Sequence, residues 1–243
     1  MISSQTEEKL RRLLGERSFY KPRPEVLEQI ANKEVWAFVG ATCMGKTTIM
    51  RELAKRSSDY GEFIVFTTRE PRADDNASRY AYYEHTDASL AALIERLETK
   101  DVLQYDINPF SLLVYGSDVD GYRHRYNLGD IFASSIDGFR RLGFGTVKVI
   151  SLVTEPATWL RRFDERFPLG HPGRNARKLE AASSLRWSLG QSSAPDHYWL
   201  INNDSVSTVA DKLLAMLATA PNSNQEAMQL AQACLEQIEG LEA

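Results

Sequence analysis

The chain has 243 residues, of which 43% are hydrophobic and 26% charged, enough for one or two domains whose core needs no covalent staples. Its 29 Lys+Arg stand against 33 Asp+Glu, a net charge of −4, which argues against a general nucleic-acid binder, whose domain would usually be basic. The two cysteines, Cys43 and Cys234, fit no metal-ligand spacing and form no disulfide framework. No apolar run is long enough to cross a bilayer, and the amino terminus lacks the apolar centre of a secretory signal. The expectation is a cytoplasmic protein that binds neither nucleic acid nor membrane, as a monomer or homodimer.

In chain order, residues 1–33 are expected to form a helical extension. Ser4 and Glu7 have capping-box spacing, and Leu10, Leu13 and Leu14 share one face. Pro24 can open a second short helix. From residue 34 short apolar runs alternate with segments of helical period. Strands are predicted at Val35–Val39, Phe63–Phe66, Ile131–Ile136, Val147–Val153 and Tyr198–Ile201. Helices are predicted after Lys46, from Asp87, near Pro156, near Arg174 and from Asp204-Ser205. Such alternation predicts a three-layer α/β fold around a parallel sheet. Beyond the break at Ala220-Pro221-Asn222, residues 222–243 carry Met228, Ala231, Leu235, Ile238 and Leu241 in one stripe, an amphipathic carboxy-terminal helix.

Gly40-Ala41-Thr42-Cys43-Met44-Gly45-Lys46-Thr47 satisfies G-x-x-x-x-G-K-[ST] between a predicted strand and a predicted helix. The glycines let the backbone turn tightly, so that successive amides point at phosphate oxygens at the positive end of the helix. In that reading Lys46 reaches the outer phosphates of ATP, Thr47 ligates Mg²⁺, and Thr48 completes the loop. Downstream, Thr67-Thr68-Arg69-Glu70-Pro71-Arg72 holds two arginines that suit a phosphate dianion, with Tyr80 and Tyr82 close behind. Residues 161–178 are rich in arginine and lysine and are punctuated by Pro168, Gly170, Pro172 and Gly173, which suits a cationic lid. The four histidines share no motif. Trp159 and Trp187 read as core, and Gly121–Tyr126 as a helix face.

T-T-R-x-P-R with a following Tyr resembles the acceptor-phosphate signature of guanylate kinases. Tyr115-Gly116-Ser117 is similar to that family's Y-G-T/S motif. Asp137-Gly138 resembles a shortened D-x-x-x-G segment, and Leu160-x-Arg162-Phe163-x-x-Arg166 the helix of lid arginines. Arg177-Lys178-Leu179 and Ile201-Asn202-Asn203-Asp204 follow in family order, so the resemblance runs from about 34 to 219. It implies a P-loop kinase domain over 34–219, with an acceptor-binding insertion at about 70–125 and a lid at about 162–178. It implies ATP-dependent phosphorylation of a nucleoside monophosphate, GMP or dGMP first, with Mg²⁺ as cofactor. Arg69, Arg72, Tyr80 and Tyr115 would hold the acceptor. Arg162 and Arg166 would close over the transferred group, Asn202 would lie near the donor adenine, and Asp137 would support Mg²⁺ from behind. The family's guanine-reading Glu and Ser have no clean counterpart: Asp106 stands near the first, Val65 and Phe66 near the second. Two other readings remain open, a kinase of another acceptor such as ribose 1,5-bisphosphate, and a non-catalytic interaction module.

Overall fold

The computed structural model describes residues 2–71, 79–191, 193–219 and 224–241. Its contacts divide the chain into two units. Unit 1 comprises Met1–Lys33, Glu62–Asn127 and Leu142–Gly145. Unit 2 comprises Glu34–Gly61, Leu128–Arg141 and Thr146–Ala243. Among the described residues no helix is long and apolar enough to cross a membrane.

A five-stranded sheet, most of whose residues fall in unit 2, has the order β2 (Tyr60–Glu62), β7 (Tyr126–Asp130), β1 (Glu34–Val39), β8 (Thr146–Val153), β9 (His197–Ile201). β1 pairs with β8, and β8 with β9, in parallel. Parallel strands need helical crossovers, which cover both faces and demand apolar side chains on each. β1 accordingly runs Val35, Trp36, Ala37, Phe38 and Val39 with none of the five more than 3% exposed. The connections between strands include α3 (Lys46–Arg56), α5 (Ile136–Arg141), α6 (Pro156–Arg166) and α7 (Arg174–Gly190), and α8 (Val206–Leu217) follows the last strand. The stripe on α9 (Gln225–Glu239) packs on α6, α7, β8 and β9, with Ala227, Ala231, Cys234 and Ile238 buried. This is an α/β fold of the P-loop type: a central parallel strand, a phosphate-type loop, then a helix.

Two expectations change here. The apolar run 131–136 is not a strand. The strand is β7, one step earlier, followed by a 3-10 turn at Ala133–Ser135 and then α5. Its sequence, Tyr-Asn-Leu-Gly-Asp, looks polar, yet Asn127 is fully buried. The Asn127 side chain accepts from the His124 amide at 3.2 Å and donates to the His124 carbonyl at 2.9 Å. A polar residue satisfied this way costs little to bury. Gly121–Tyr126 is likewise no helix; a 3-10 turn at Val119–Gly121 is followed by irregular chain over 122–125 and then β7. Gly121 approaches the Ile64 carbonyl so closely that a Cβ would collide with it.

Unit 1 contains a second sheet, ordered β4 (Tyr80–Tyr82), β3 (Val65–Thr67), β6 (Val114–Ser117), β5 (Gln104–Ile107). One face packs on α1 (Ser4–Glu16) and α4 (Asp87–Glu98) through Leu10, Leu13, Leu90, Leu93, Ile94 and Leu97. The amino-terminal segment is thus part of this unit's core. Tyr105 donates from its hydroxyl to the Leu13 carbonyl at 2.9 Å, and Tyr20 to the Val102 carbonyl at 2.8 Å. Burial pushes both phenols up to about 12, so both remain donors throughout the ordinary pH range. Gly116 lies under the Phe66 ring, where any Cβ would overlap it, which gives the Y-G-S glycine a packing reason.

Candidate functional site

The loop after β1 carries three positive φ angles, Gly40 at 134°, Cys43 at 67° and Gly45 at 96°. A side chain at Gly40 would meet the Leu152 carbonyl at 2.7 Å, and one at Gly45 would overlap the Asn202 amide. Glycine is therefore required at both motif positions for space as well as for conformation. Four loop carbonyls are held by side chains from the loop's own lysine and from outside it. Lys46 Nζ donates to Gly40 O at 2.6 Å and Ala41 O at 3.0 Å, Trp159 Nε1 to Thr42 O at 2.9 Å, and Asn202 Nδ2 to Met44 O at 2.7 Å. Among the described residues the amides of Cys43, Gly45, Lys46 and Thr47 donate to no protein acceptor. They form a concavity of free donors at the start of α3, an arrangement that suits an anion.

A cavity of about 410 Å³ opens on this loop. It is lined by the loop, Lys46, Thr47, Thr48 and, from elsewhere in unit 2, Asp130, Arg162, Arg166, Asn202, Asp204 and Val206. Lys46, only 8% exposed, lies 3.6 Å from Asp130, at the carboxyl end of β7. Parallel strands place their carboxyl ends where ligands bind in open α/β sheets, which explains how Asp130 reaches the loop. Asp137 does not: it sits on α5, its side chain 68% exposed and 3.0 Å from Arg140. Asp130 is the functional candidate that sequence reading missed, because β7 itself was misplaced.

On α6, Arg161 is paired outward with Glu165 at 2.8 Å, whereas Arg162 and Arg166 line the cavity with no carboxylate partner among the described residues. Arg166 lies over the Phe167 ring at 5.4 Å. Arg174 does structural work instead. It pairs with Asp164 at 2.7 Å, donates to the Phe167 carbonyl and covers the Phe163 ring at 4.9 Å, fastening the start of α7 to the end of α6. Asn202 borders the cavity, with its amide donated to the loop.

In unit 1 the strand register sets Tyr82, Thr67, Tyr115 and Asp106 in one row across the second sheet. Tyr80, two residues before Tyr82, shares that face. The Arg69 guanidinium lies over the Tyr80 and Tyr82 rings at 5.0 and 5.8 Å. Arg69, Tyr80, Tyr115 and Asp106 are thus gathered on one polar, aromatic face; Arg72 falls outside the described residues. Asp106 is engaged there: Arg17 Nε and the Ile107 amide reach its Oδ1 at 2.9 and 2.8 Å. That ion pair, from the amino-terminal segment, has no counterpart in the sequence motifs.

No family model and no curated protein matches the sequence. A solved guanylate kinase from Anaplasma phagocytophilum is similar over 87% of this chain and 96% of its own, with a TM-score of 0.43 and 14% identity. The fold assignment stands on the strand order and loop geometry above. No group of three or more His, Cys, Asp or Glu side chains is arranged to hold a metal by itself among the described residues. Thr47 and Asp130 are oxygen donors in one cavity, a set that suits Mg²⁺ shared with a phosphate rather than caged by protein.

Proposed function

We propose that the chain is a phosphotransferase that moves the γ-phosphoryl group of ATP to a nucleoside monophosphate, with GMP and dGMP the first acceptors. The observation that carries this reading is the cavity in which free loop amides, Lys46, Thr47, Asp130, Arg162 and Arg166 converge. A phosphate oxygen of the acceptor attacks the γ-phosphorus, the bond to the bridging oxygen breaks, and ADP leaves. No protein base is needed, since the acceptor is already an oxyanion. Bound Mg²⁺ would neutralise charge on the outer phosphates, held from the protein side by Thr47 and Asp130. The loop amides fix the β-phosphate, Lys46 moves its ammonium from the loop carbonyls to the phosphates, and Arg162 and Arg166 oppose the charge that spreads over the transferred group. Arg69, with Arg72, Tyr80 and Tyr115, holds the acceptor phosphate.

The test is ADP release from Mg·ATP across a panel of nucleoside monophosphates, with ribose 1,5-bisphosphate as a further acceptor. Turnover with GMP and dGMP is expected, ahead of AMP by a modest factor because Asp106 is already engaged by Arg17. Turnover with the sugar bisphosphate alone would replace the nucleotide acceptor. Nucleotide binding without turnover on any acceptor would make the chain an interaction module.

A further inference from the structure

We infer that Trp159 is a positioning residue of the phosphate loop: its indole N–H sets the orientation of the peptide plane that presents the Cys43 amide. This inference rests on the proposed nucleotide site and deepens it. The argument begins with peptide geometry. In a trans peptide the carbonyl and the following N–H point in opposite directions, and no cis bond is present among the described residues. Whatever holds the Thr42 carbonyl therefore aims the Cys43 amide, and whatever holds the Met44 carbonyl aims the Gly45 amide. The first carbonyl is held by Trp159 Nε1 at 2.9 Å and the second by Asn202 Nδ2 at 2.7 Å.

Neither residue belongs to the loop motif, and the motif alone does not supply their function. Cys43, a non-glycine residue at φ 67°, needs an external constraint to stay in the left-handed region. Trp159 is suited to provide it. It is fully buried, stacked on Phe163 at 4.8 Å, and fixed on α6, so its N–H cannot wander. The same helix carries Arg162 and Arg166, one and two turns further on and on the same side as Trp159. One side chain thus keeps the loop amides and the cavity arginines in a common register.

The test measures binding of inorganic tripolyphosphate and of Mg·ATP by calorimetry, with the melting temperature recorded for every chain. Tripolyphosphate reports on the amides without any contribution from a base. Trp159→Phe keeps a stacked ring and removes the donor. A chain carrying β-(3-benzothienyl)alanine at position 159 keeps the bicyclic shape and also lacks the N–H, so it separates the hydrogen bond from packing. Both should bind tripolyphosphate and Mg·ATP about tenfold more weakly, the worth of one net hydrogen bond, by the same factor for each ligand. The benzothienyl chain should melt near the wild-type temperature. Asn202→Leu should do the same through the Gly45 amide. Wild-type affinity in the benzothienyl chain would overturn the inference and leave the kinase reading standing. Tripolyphosphate binding that depends on the indole N–H, in a protein with no phosphotransfer on any acceptor, would do the reverse. A wild-type protein that binds neither ligand would overturn both.

Discussion

Lys46 and His197 show how a side chain's partners determine what its removal does. Lys46 is buried against two carbonyls of its own loop, with Asp130 as a nearby counter-charge. Lys46→Ala should lower phosphotransfer by at least about 10²-fold, as loss of a preorganised charge does. The melting temperature should move by only a few degrees, since the released carbonyls border an open cavity. A coupled ADP assay with a thermal melt reads both. His197 is a different case. Its Nε2 lies 2.7 Å from Ser151 Oγ, its Nδ1 lies 3.0 Å from the Gln191 carbonyl, and the rings of Trp187 and Trp199 and the Asp196–Arg140 pair surround it. Burial pushes the imidazole from 6.5 down to about 4. Below pH 6.5 the unfolded chain takes up a proton that the folded one refuses, so stability is full above 6.5 and falls as pH drops toward 4. The loss at pH 4 should be of order 3 kcal/mol, and His197→Asn should remove this contribution. Urea unfolding of both chains at several pH values checks it: parallel pH dependences would refute the assignment.

At the level of elements, α6 is a divided helix. Its helical period turns Arg161 to solvent, where Glu165 holds it, and turns Arg162 and Arg166 into the cavity. An exposed ion pair at this spacing contributes a few tenths of a kcal/mol, so Arg161→Ala should leave turnover and stability nearly unchanged. Arg162→Ala should reduce kcat by about 10–10³-fold with little change in melting temperature. Equal effects from the two substitutions would mean that the helix acts as a general basic surface. The same logic of faces explains the second sheet. Its buried row packs Phe66, Gly116 and Tyr105 toward α1 and α4, and the opposite row is left for Tyr80, Tyr82, Tyr115 and Asp106. None of β4, β5 and β6 is evident from sequence alone, because three- and four-residue strands carry too few alternations to register as a period.

For the whole molecule, the two units divide the proposed substrates between them, ATP to unit 2 and the monophosphate to unit 1. Arg69 stacks on Tyr80 and Tyr82 within unit 1. Arg69→Ala should therefore raise the acceptor KM about 10–100-fold, the worth of a charge-assisted contact, and leave the Kd for Mg·ATP unchanged. Lost ATP affinity with an intact acceptor KM would refute this division. The glycine loop after β1, the arginine-bearing helix and the parallel core are legible in the sequence, because each rests on local chemistry: glycines needing positive φ, cations at helical spacing, unbroken apolar runs. The tertiary structure decided what depends on contacts distant in sequence. It put Asp130 rather than Asp137 beside Lys46, since a buried Asn127 satisfied by backbone let a polar-looking segment form a strand inside the sheet, beside β1. It drew Arg17 onto Asp106, and it made Trp159, a core residue as expected, also a donor to the loop. A residue's hydrogen-bond partner is set by which strands and helices lie side by side, and no local pattern records that.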